Sequence, residues 1–134
     1  MNRTHLEGAA EALAAQQGYA FHTGPEDGMA HTMRSYPAAW LAPLELHAVE
    51  GRGHGRATYN MTLHLLSSGA RLSPAERRTA LARMEEQLLE ILAALSLDER
   101  VLAVEGLSVR PRAFALTPHG EISQTAAARI VTFF

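Results

Sequence analysis

Histidine is the residue type of this sequence with the widest range of possible chemistry, and it occurs seven times. Imidazole binds transition metals and exchanges protons near neutral pH. No two histidines have the HExxH spacing that builds a zinc site on one helix. If the two alternating segments at the centre of the chain pair as a hairpin, His47 lies near Asn60. Glu45 and His64 then share the same face of the sheet.

This His/Glu/His cluster contains ligand types that suit zinc or nickel. The competing interpretation is a polar face of the hairpin that meets solvent or another subunit, as half-buried antiparallel sheets commonly have. We therefore regard His47, His64 and Glu45 only as weak candidate ligands. The prediction is that no metal and no other cofactor is bound.

The most distinctive short string is Gly-Arg-Gly-His-Gly-Arg at residues 51–56. Its glycines allow backbone N–H groups to point towards a bound anion. Arg52, His54 and Arg56 can contact phosphate groups. A phosphate-binding glycine loop usually opens onto the N-terminus of a helix, whereas a strand is predicted to follow this one. The string is interpreted as a hairpin tip, which in a functional role touches DNA or a neighbouring subunit.

Several kinds of catalysis are excluded by composition. The chain has no cysteine and therefore no thiol nucleophile, and all twelve basic residues are arginine, which excludes lysine Schiff bases. It also lacks the GxSxG string of a serine hydrolase. Glu85, Glu86 and Glu90 are expected on the solvated face of a helix. We predict that the protein is not an enzyme.

Length and composition indicate one globular domain over residues 1–134. The chain is 47% hydrophobic and 19% charged, which is ordinary for a folded domain. A formal net charge of −2 argues against a dedicated nucleic-acid binder. The longest apolar runs are far shorter than a membrane span, and Glu7 and Glu11 interrupt the start of the chain where a signal peptide would be apolar.

The first half of the chain is predicted to contain one helix and several short strands. Thr4 and Glu7 fit a capping box, and a helix that starts there is expected to end at Gly18. Residues 19–22 and 29–35 are predicted as short strands, and residues 37–43 as a crossing segment or a bent strand edge. Residues 44–50 and 57–66 alternate with a period of two, which predicts a hairpin with one buried face.

The second half is predicted to hold one long helix and the closing strands. Ser73, Pro74 and Glu76 form a strong helix start, and the helix should continue to about residue 95. Its apolar stripe consists of Leu81, Met84, Leu88, Leu92 and Leu95. Residues 101–109, 112–117 and 122–134 are predicted as strands. This order favours an α+β fold, in which both helices pack on one face of a mostly antiparallel sheet.

The pattern resembles one known family. It is carried by the strand at residues 59–66, the helix at 73–95, and the end at 123–134 after the turn Pro118-His119-Gly120. In this order of elements the chain is similar to the tail terminator and tail-completion proteins of long-tailed phages and their prophage relatives. The resemblance implies a small α+β subunit without catalytic residues. It also implies a homo-oligomeric ring, usually a hexamer, that caps the tail tube and joins it to the head connector.

The same resemblance implies the partners and the location. The partners are copies of the chain itself and other phage tail or connector proteins, with incidental contact to DNA and none to a membrane. The location is the cytoplasm of the bacterial host or the virion. The last strand has apolar residues on both faces, so a neighbour is expected to cover one of them. The expected contact residues are Arg52, His54, Arg56, Val131, Phe133 and Phe134.

Two alternatives remain open. One is a small enzyme or metal-binding domain that uses the face carrying Glu45, His47 and His64. The other is a small ligand-binding or regulatory domain with Tyr36 and Trp40 in its pocket. An apolar cavity with converging His and Glu side chains would favour these alternatives. A flat polar sheet face with exposed contact surfaces would favour the structural subunit.

Overall fold

The computed structural model of the protein describes residues 2–33, 35–112 and 115–134. Its helices are α1 (Asn2–Gln16), α2 (Met29–Thr32) and α3 (Pro74–Ser96), and a 3-10 turn at Glu26–Gly28 precedes α2. Its strands are β1 (Ala20–Thr23), β2 (Ala38–Leu41), β3 (Glu45–Arg52), β4 (His54–Ser67), β5 (Val101–Pro111) and β6 (Ile122–Phe133).

All six strands form one sheet in the order β1-β2-β4-β6-β5, and β3 pairs with the part of β4 that β2 leaves free. β2 and β3 therefore lie on the same side of β4, one after the other. β1 runs parallel to β2, and every other pairing is antiparallel. The predicted α+β class, the mostly antiparallel sheet and the central hairpin are confirmed.

The two long helices cover one face of the sheet. α3 packs on β5 and β6, and α1 packs against α3, β1 and β2. The core between these layers is mainly aliphatic and includes Leu6, Ala10, Ala14, Met61, Leu63, Leu65, Met84, Leu88, Leu92, Leu95 and Ile130. The predicted stripe of α3 is therefore confirmed, with Leu81 partly buried at its margin.

The opposite face of the sheet is covered near β1 and β2 by a second group of apolar side chains. There Met29 and Met33 pack with Trp40 and Leu66 in a second, smaller cluster. The prediction of a strand over residues 29–35 is wrong for the described residues of that range, because 29–32 form the single turn α2. Met29 and Met33 are four residues apart, so one helical turn places both on the same side against the sheet.

Three further predictions need adjustment. α1 already begins at Asn2, so Thr4 lies inside the helix and its predicted capping box with Glu7 is wrong. The segment between Pro37 and Pro43 forms β2. Part of the predicted strand 112–117 lies outside the described residues, and residues 112 and 115–117 are not in a strand.

The buried face predicted for the central hairpin exists only on β4. All eight residues of β3 are exposed or half-buried, including Leu46 at 51% exposure and Val49 at 55%. The physical reason is position, because α1 and α3 pack against the other strands and leave β3 beyond their reach. The alternating pattern of β3 therefore predicts the strand correctly but not its burial.

The start of α3 carries the capping box that the sequence predicts. Ser73 Oγ accepts a hydrogen bond from the Glu76 backbone N–H at 3.2 Å, and Glu76 Oε1 accepts one from the Ser73 N–H at 3.1 Å. Pro74 occupies the first helical position, where the missing N–H costs no hydrogen bond. Two otherwise unpaired donors at the helix end are thus satisfied.

We expect Ser73→Ala to lower the free energy of unfolding by about 1 kcal/mol, because the Glu76 N–H loses its acceptor. Urea denaturation monitored by circular dichroism measures the change. Ser68→Ala, which alters an exposed serine before the helix, is the matched control and should change stability little. Equal effects of the two substitutions would show that the cap contributes nothing specific.

Candidate functional site

The hairpin tip and the C-terminal end of β6 form one surface at one end of the sheet. Arg56 pairs with Phe133 across the β4–β6 ladder. The backbones of Gly55 and Phe134 exchange hydrogen bonds of 3.2 and 3.0 Å. We call this surface the tip patch and define it by its exposed residues Arg52, His54, Arg56, Phe133 and Phe134.

The tip patch unites two surfaces that the sequence suggests only separately. Five of the six predicted contact residues belong to it, and Phe133 and Phe134 are both about half exposed. The sixth, Val131, pairs with Thr58 on the adjoining part of the ladder and is buried. A patch that combines two aromatic rings with two guanidinium groups suits contact with a protein surface.

The glycines of the tip have a structural role. Gly51 and Gly53 have φ values of +101° and +65°, which side chains other than glycine rarely adopt. A Cβ at Gly55 would overlap the carbonyl oxygen of Glu50 across the hairpin. The Gly-Arg-Gly-His-Gly-Arg string is therefore explained by a tight β-turn between β3 and β4 without a bound phosphate.

In the described part of the chain the sheet has three edge strands, the four-residue β1 and the longer β3 and β5, and the two longer edges are free. β3 pairs only with β4, and β5 pairs only with β6. Each edge carries exposed aliphatic side chains, namely Leu46 and Val49 on β3 and Leu102 and Leu107 on β5. Leu102 and Leu107 lie where the register of β5 with β6 is interrupted. Free backbone groups beside apolar side chains are the typical features of an edge that another strand can cover.

The structure does not assemble the candidate metal site. Glu45 pairs with Asn60, and His47 lies at the register shift between Leu46 and Ala48, outside the pairs of the β3–β4 ladder. His47 is exposed, whereas His64 is fully buried. Among the described residues, no group of three or more His, Cys, Asp or Glu side chains is placed to hold a metal ion. In the ladder itself, Glu45 takes the position opposite Asn60.

His64 instead belongs to a polar cluster beneath the turn before α2. Its Nδ1 lies 2.7 Å from Thr125 Oγ1, and its Nε2 lies 3.5 Å from Glu26 Oε1. The other carboxylate oxygen of Glu26 lies 3.5 Å from Arg112 Nη2. Burial lowers the pKa of His64 below its usual value, although the Glu26 carboxylate opposes that shift. The buried imidazole is therefore neutral at pH 7, with Nε2 facing the Glu26 carboxylate without a hydrogen bond.

Tyr36 and Trp40, the residues suggested for a ligand pocket, have different surroundings. Trp40 is buried, stacks on His22, and donates a hydrogen bond of 2.8 Å from Nε1 to the Gly24 carbonyl. Tyr36 lines a shallow pocket of about 290 Å³ together with Ser68, Gly69, Ala70, Arg71, Leu72 and His119. Trp40 is thus a structural residue, and only Tyr36 borders open space.

Comparison with models of known protein families and with curated proteins gives no match for this chain. In the part of the chain that the structure describes, no helix has both the length and the hydrophobicity needed to cross a bilayer.

Sequence reasoning missed the edge residues Leu46, Val49, Leu102 and Leu107. Their types are those of ordinary strand residues, and only the strand order reveals that they flank the sheet. It also missed Glu26, which lies next to His64 in space but 38 positions before it in the chain. Local patterns carry no signal for such contacts.

The lowered pKa of His64 predicts a pH dependence of stability. The unfolded chain binds the proton more tightly, so this contribution is complete above about pH 6.5 and is lost as the pH falls towards the pKa of the folded state. His64→Gln should therefore flatten the pH dependence of the free energy of unfolding in that range. Urea denaturation between about pH 7.5 and about pH 5 measures it.

His47→Gln is the matched control, because it removes an exposed histidine of β3. We expect this control to retain the loss of stability seen in the wild type. If His64→Gln loses stability as steeply as the wild type on acidification, a group other than His64 carries the effect.

Proposed function

We propose that this protein is a structural subunit of a phage or prophage tail, of the tail-terminator or tail-completion type, and forms a homo-oligomeric ring. Its partners would be copies of itself and other tail or connector proteins, with incidental contact to DNA. Its place would be the bacterial cytoplasm during assembly and then the virion. The order of a short N-terminal helix, a long hairpin, one long helix and a closing strand pair supports this family resemblance.

The observation that carries the proposal is the pair of free edges on one sheet. β3 and β5 lie on opposite sides of the β4–β6 centre, and both have exposed aliphatic side chains. Two different surfaces on opposite sides of a subunit can associate head to tail. When the rotation between neighbours closes, this type of contact produces a ring and covers both of these edges.

The tip patch supplies a surface of a different kind. It lies at the end of the strands, whereas β3 and β5 run along the sides of the sheet. In a ring joined through its sides, the tip patches of all subunits would therefore point in a common direction. Such an array of Arg52, Arg56, Phe133 and Phe134 side chains suits the attachment of the ring to a tail tube or connector.

Val49→Asp tests the ring by placing a carboxylate on the free edge of β3. We expect the variant to assemble at least about tenfold less tightly, because a charge at that edge would be buried against the neighbouring copy. Light scattering over a range of concentrations, with negative-stain images of the heaviest species, measures the assembly. Thermal unfolding verifies that the subunit remains folded.

The matched control is Leu89→Asp, which introduces the same charge at an exposed leucine of α3. It should assemble as the wild type does. Rings that tolerate Val49→Asp as well as Leu89→Asp would contradict a contact through β3.

Phe133→Asp tests the tip patch. Phe133 is 48% exposed, so the charge can remain in solvent and the subunit should lose little stability. Assembly or attachment through the tip should weaken more than folding does. The sedimentation profile and the unfolding midpoint of the same preparation provide the comparison. A change in the midpoint alone would assign Phe133 to the fold and remove it from the contact surface.

A further inference from the structure

A groove on the sheet face opposite the long helices is lined by two guanidinium groups and, among the described residues, by no carboxylate. It has a volume of about 540 Å³ and lies along β5 and β6. The lining residues are Ser108, Arg110, Pro111, Arg112, Thr125 and Ala127. Two like charges that share a concave surface attract small ions of the opposite sign. The groove is therefore a candidate site for an anion.

The alternation of β5 directs Ser108 and Arg110 to this face. Val109, which lies between them, packs against the core under the long helices, so its two neighbours point to the opposite side of the sheet. Arg110 pairs with Thr125 of β6, and Ser108 pairs with Ala127. Because the Ala127 side chain is a single methyl group, the longer side chains around it enclose an open space.

Arg112 continues the row of Ser108 and Arg110. Its backbone N–H donates a hydrogen bond of 3.2 Å to the carbonyl of Ser123, so the contact with β6 extends beyond Pro111. Arg110 and Arg112 are two positions apart and share one face, with their Cα atoms about 7 Å from each other. Two guanidinium groups at this spacing can both reach an ion that lies between them.

The two arginines differ in their counter-charges. Arg112 Nη2 lies 3.5 Å from Glu26 Oε2, in an ion pair that is partly exposed and therefore screened by water. Arg110 forms no ion pair with any acidic side chain that the structure describes. An anion can therefore bind Arg110 without displacing a carboxylate. Arg112 retains further donors for the same anion, because a guanidinium group has five N–H donors.

The donors of the groove suit a phosphate group. Two guanidinium groups provide two positive charges, and a phosphate ester carries between about 1.5 and about 2 negative charges at about pH 7. Each guanidinium can donate two parallel hydrogen bonds to phosphate oxygens. The hydroxyl of Ser108 is a further donor, whereas Thr125 Oγ1 is already hydrogen-bonded to His64 Nδ1 at 2.7 Å. The volume lies within the range of about 300–1,000 Å³ that small-ligand sites occupy, which leaves space for the molecule that carries the phosphate.

We propose that this groove binds a dianionic phosphate group, held by Arg110 and Arg112 with the Ser108 hydroxyl as a further donor. The inference does not rest on the proposed ring, because the groove opens on a face of the sheet and the ring is joined through the edges. The net charge of −2 disfavours a long polyanion such as DNA, so the source of the phosphate is a small molecule.

Titration with inorganic phosphate and with phenyl phosphate tests the site, and the amide chemical shifts of the protein are followed by NMR at constant ionic strength. Both probes should shift the signals of residues 108–112 to saturation. Arg110→Gln and Arg112→Gln should each raise the dissociation constant at least about tenfold, because each removes hydrogen bonds between charged groups. Arg78→Gln, at an exposed arginine of α3, is the matched control and should bind both probes as the wild type does.

A variant with the opposite effect distinguishes the site from a general loss of structure. Glu26→Gln removes the carboxylate beside Arg112 and should lower the dissociation constant for phosphate about threefold, because that carboxylate repels the anion and competes for the guanidinium. Glu86→Gln makes the same change at an exposed position of α3 and should leave the dissociation constant unchanged. The thermal unfolding midpoint verifies that every variant remains folded.

Further probes separate the class of the ligand from its source. Acetate carries one charge and should bind at least about tenfold more weakly than phosphate, so equal binding of acetate would overturn the assignment to a phosphate group. Phenyl phosphate that binds more tightly than inorganic phosphate identifies an organic phosphate ester as the ligand, and equal binding identifies the free ion. Absence of saturable binding by either probe, or unchanged binding in both arginine variants, would overturn the proposal.

Discussion

The structure depends on the pairing of β4 with β6 over twelve residue pairs, from Arg56–Phe133 to Ser67–Ile122. This ladder joins the middle of the chain to its last residues and places both strands at the centre of the sheet. It directs Leu63 and Ala126 towards the helices and His64 and Thr125 to the opposite face. It also carries the end of β6 to the hairpin tip. β3 and β5 then flank this central pair, β3 beside β4 and β5 beside β6.

The parts of the fold that sequence predicts are those whose signal is local. The cap and stripe of α3 and the alternation of β4 each lie within one segment, so propensity and periodicity are sufficient. The turn at 29–32 was predicted as a strand because a single helical turn is too short to show a period. The burial of β3 was predicted wrongly for a different reason. Whether an alternating strand is covered depends on where distant helices pack.

In the candidate site, too, features with a local sequence signal could be predicted, and features that depend on strand pairing could not. The expectation that His47 lies near Asn60 depended on the register of the hairpin, and the pairs at the tip would by themselves place Leu46 opposite Asn60. The shift between Leu46 and Ala48 then moves Glu45 to that position and leaves His47 outside the ladder pairs. A register error of one residue changes which side chain occupies a given position. The exposure of the arginines in the glycine-rich turn and of the phenylalanines at the strand end could be predicted without an exact register. Their union in the tip patch follows from the β4–β6 pairing, which no local pattern reveals.

The two edges constrain the symmetry of any assembly built from this subunit. A two-fold dimer through β3 would leave β5 of both copies free, and a dimer through β5 would leave both β3 strands free. A head-to-tail contact between β3 and β5 uses both of these edges of every copy through one kind of contact. If such a contact did not close, it would extend into a filament whose end copies still expose an edge. A closed ring of such contacts is one finite arrangement in which Leu46, Val49, Leu102 and Leu107 all border a neighbour, and in it every tip patch would face the same way.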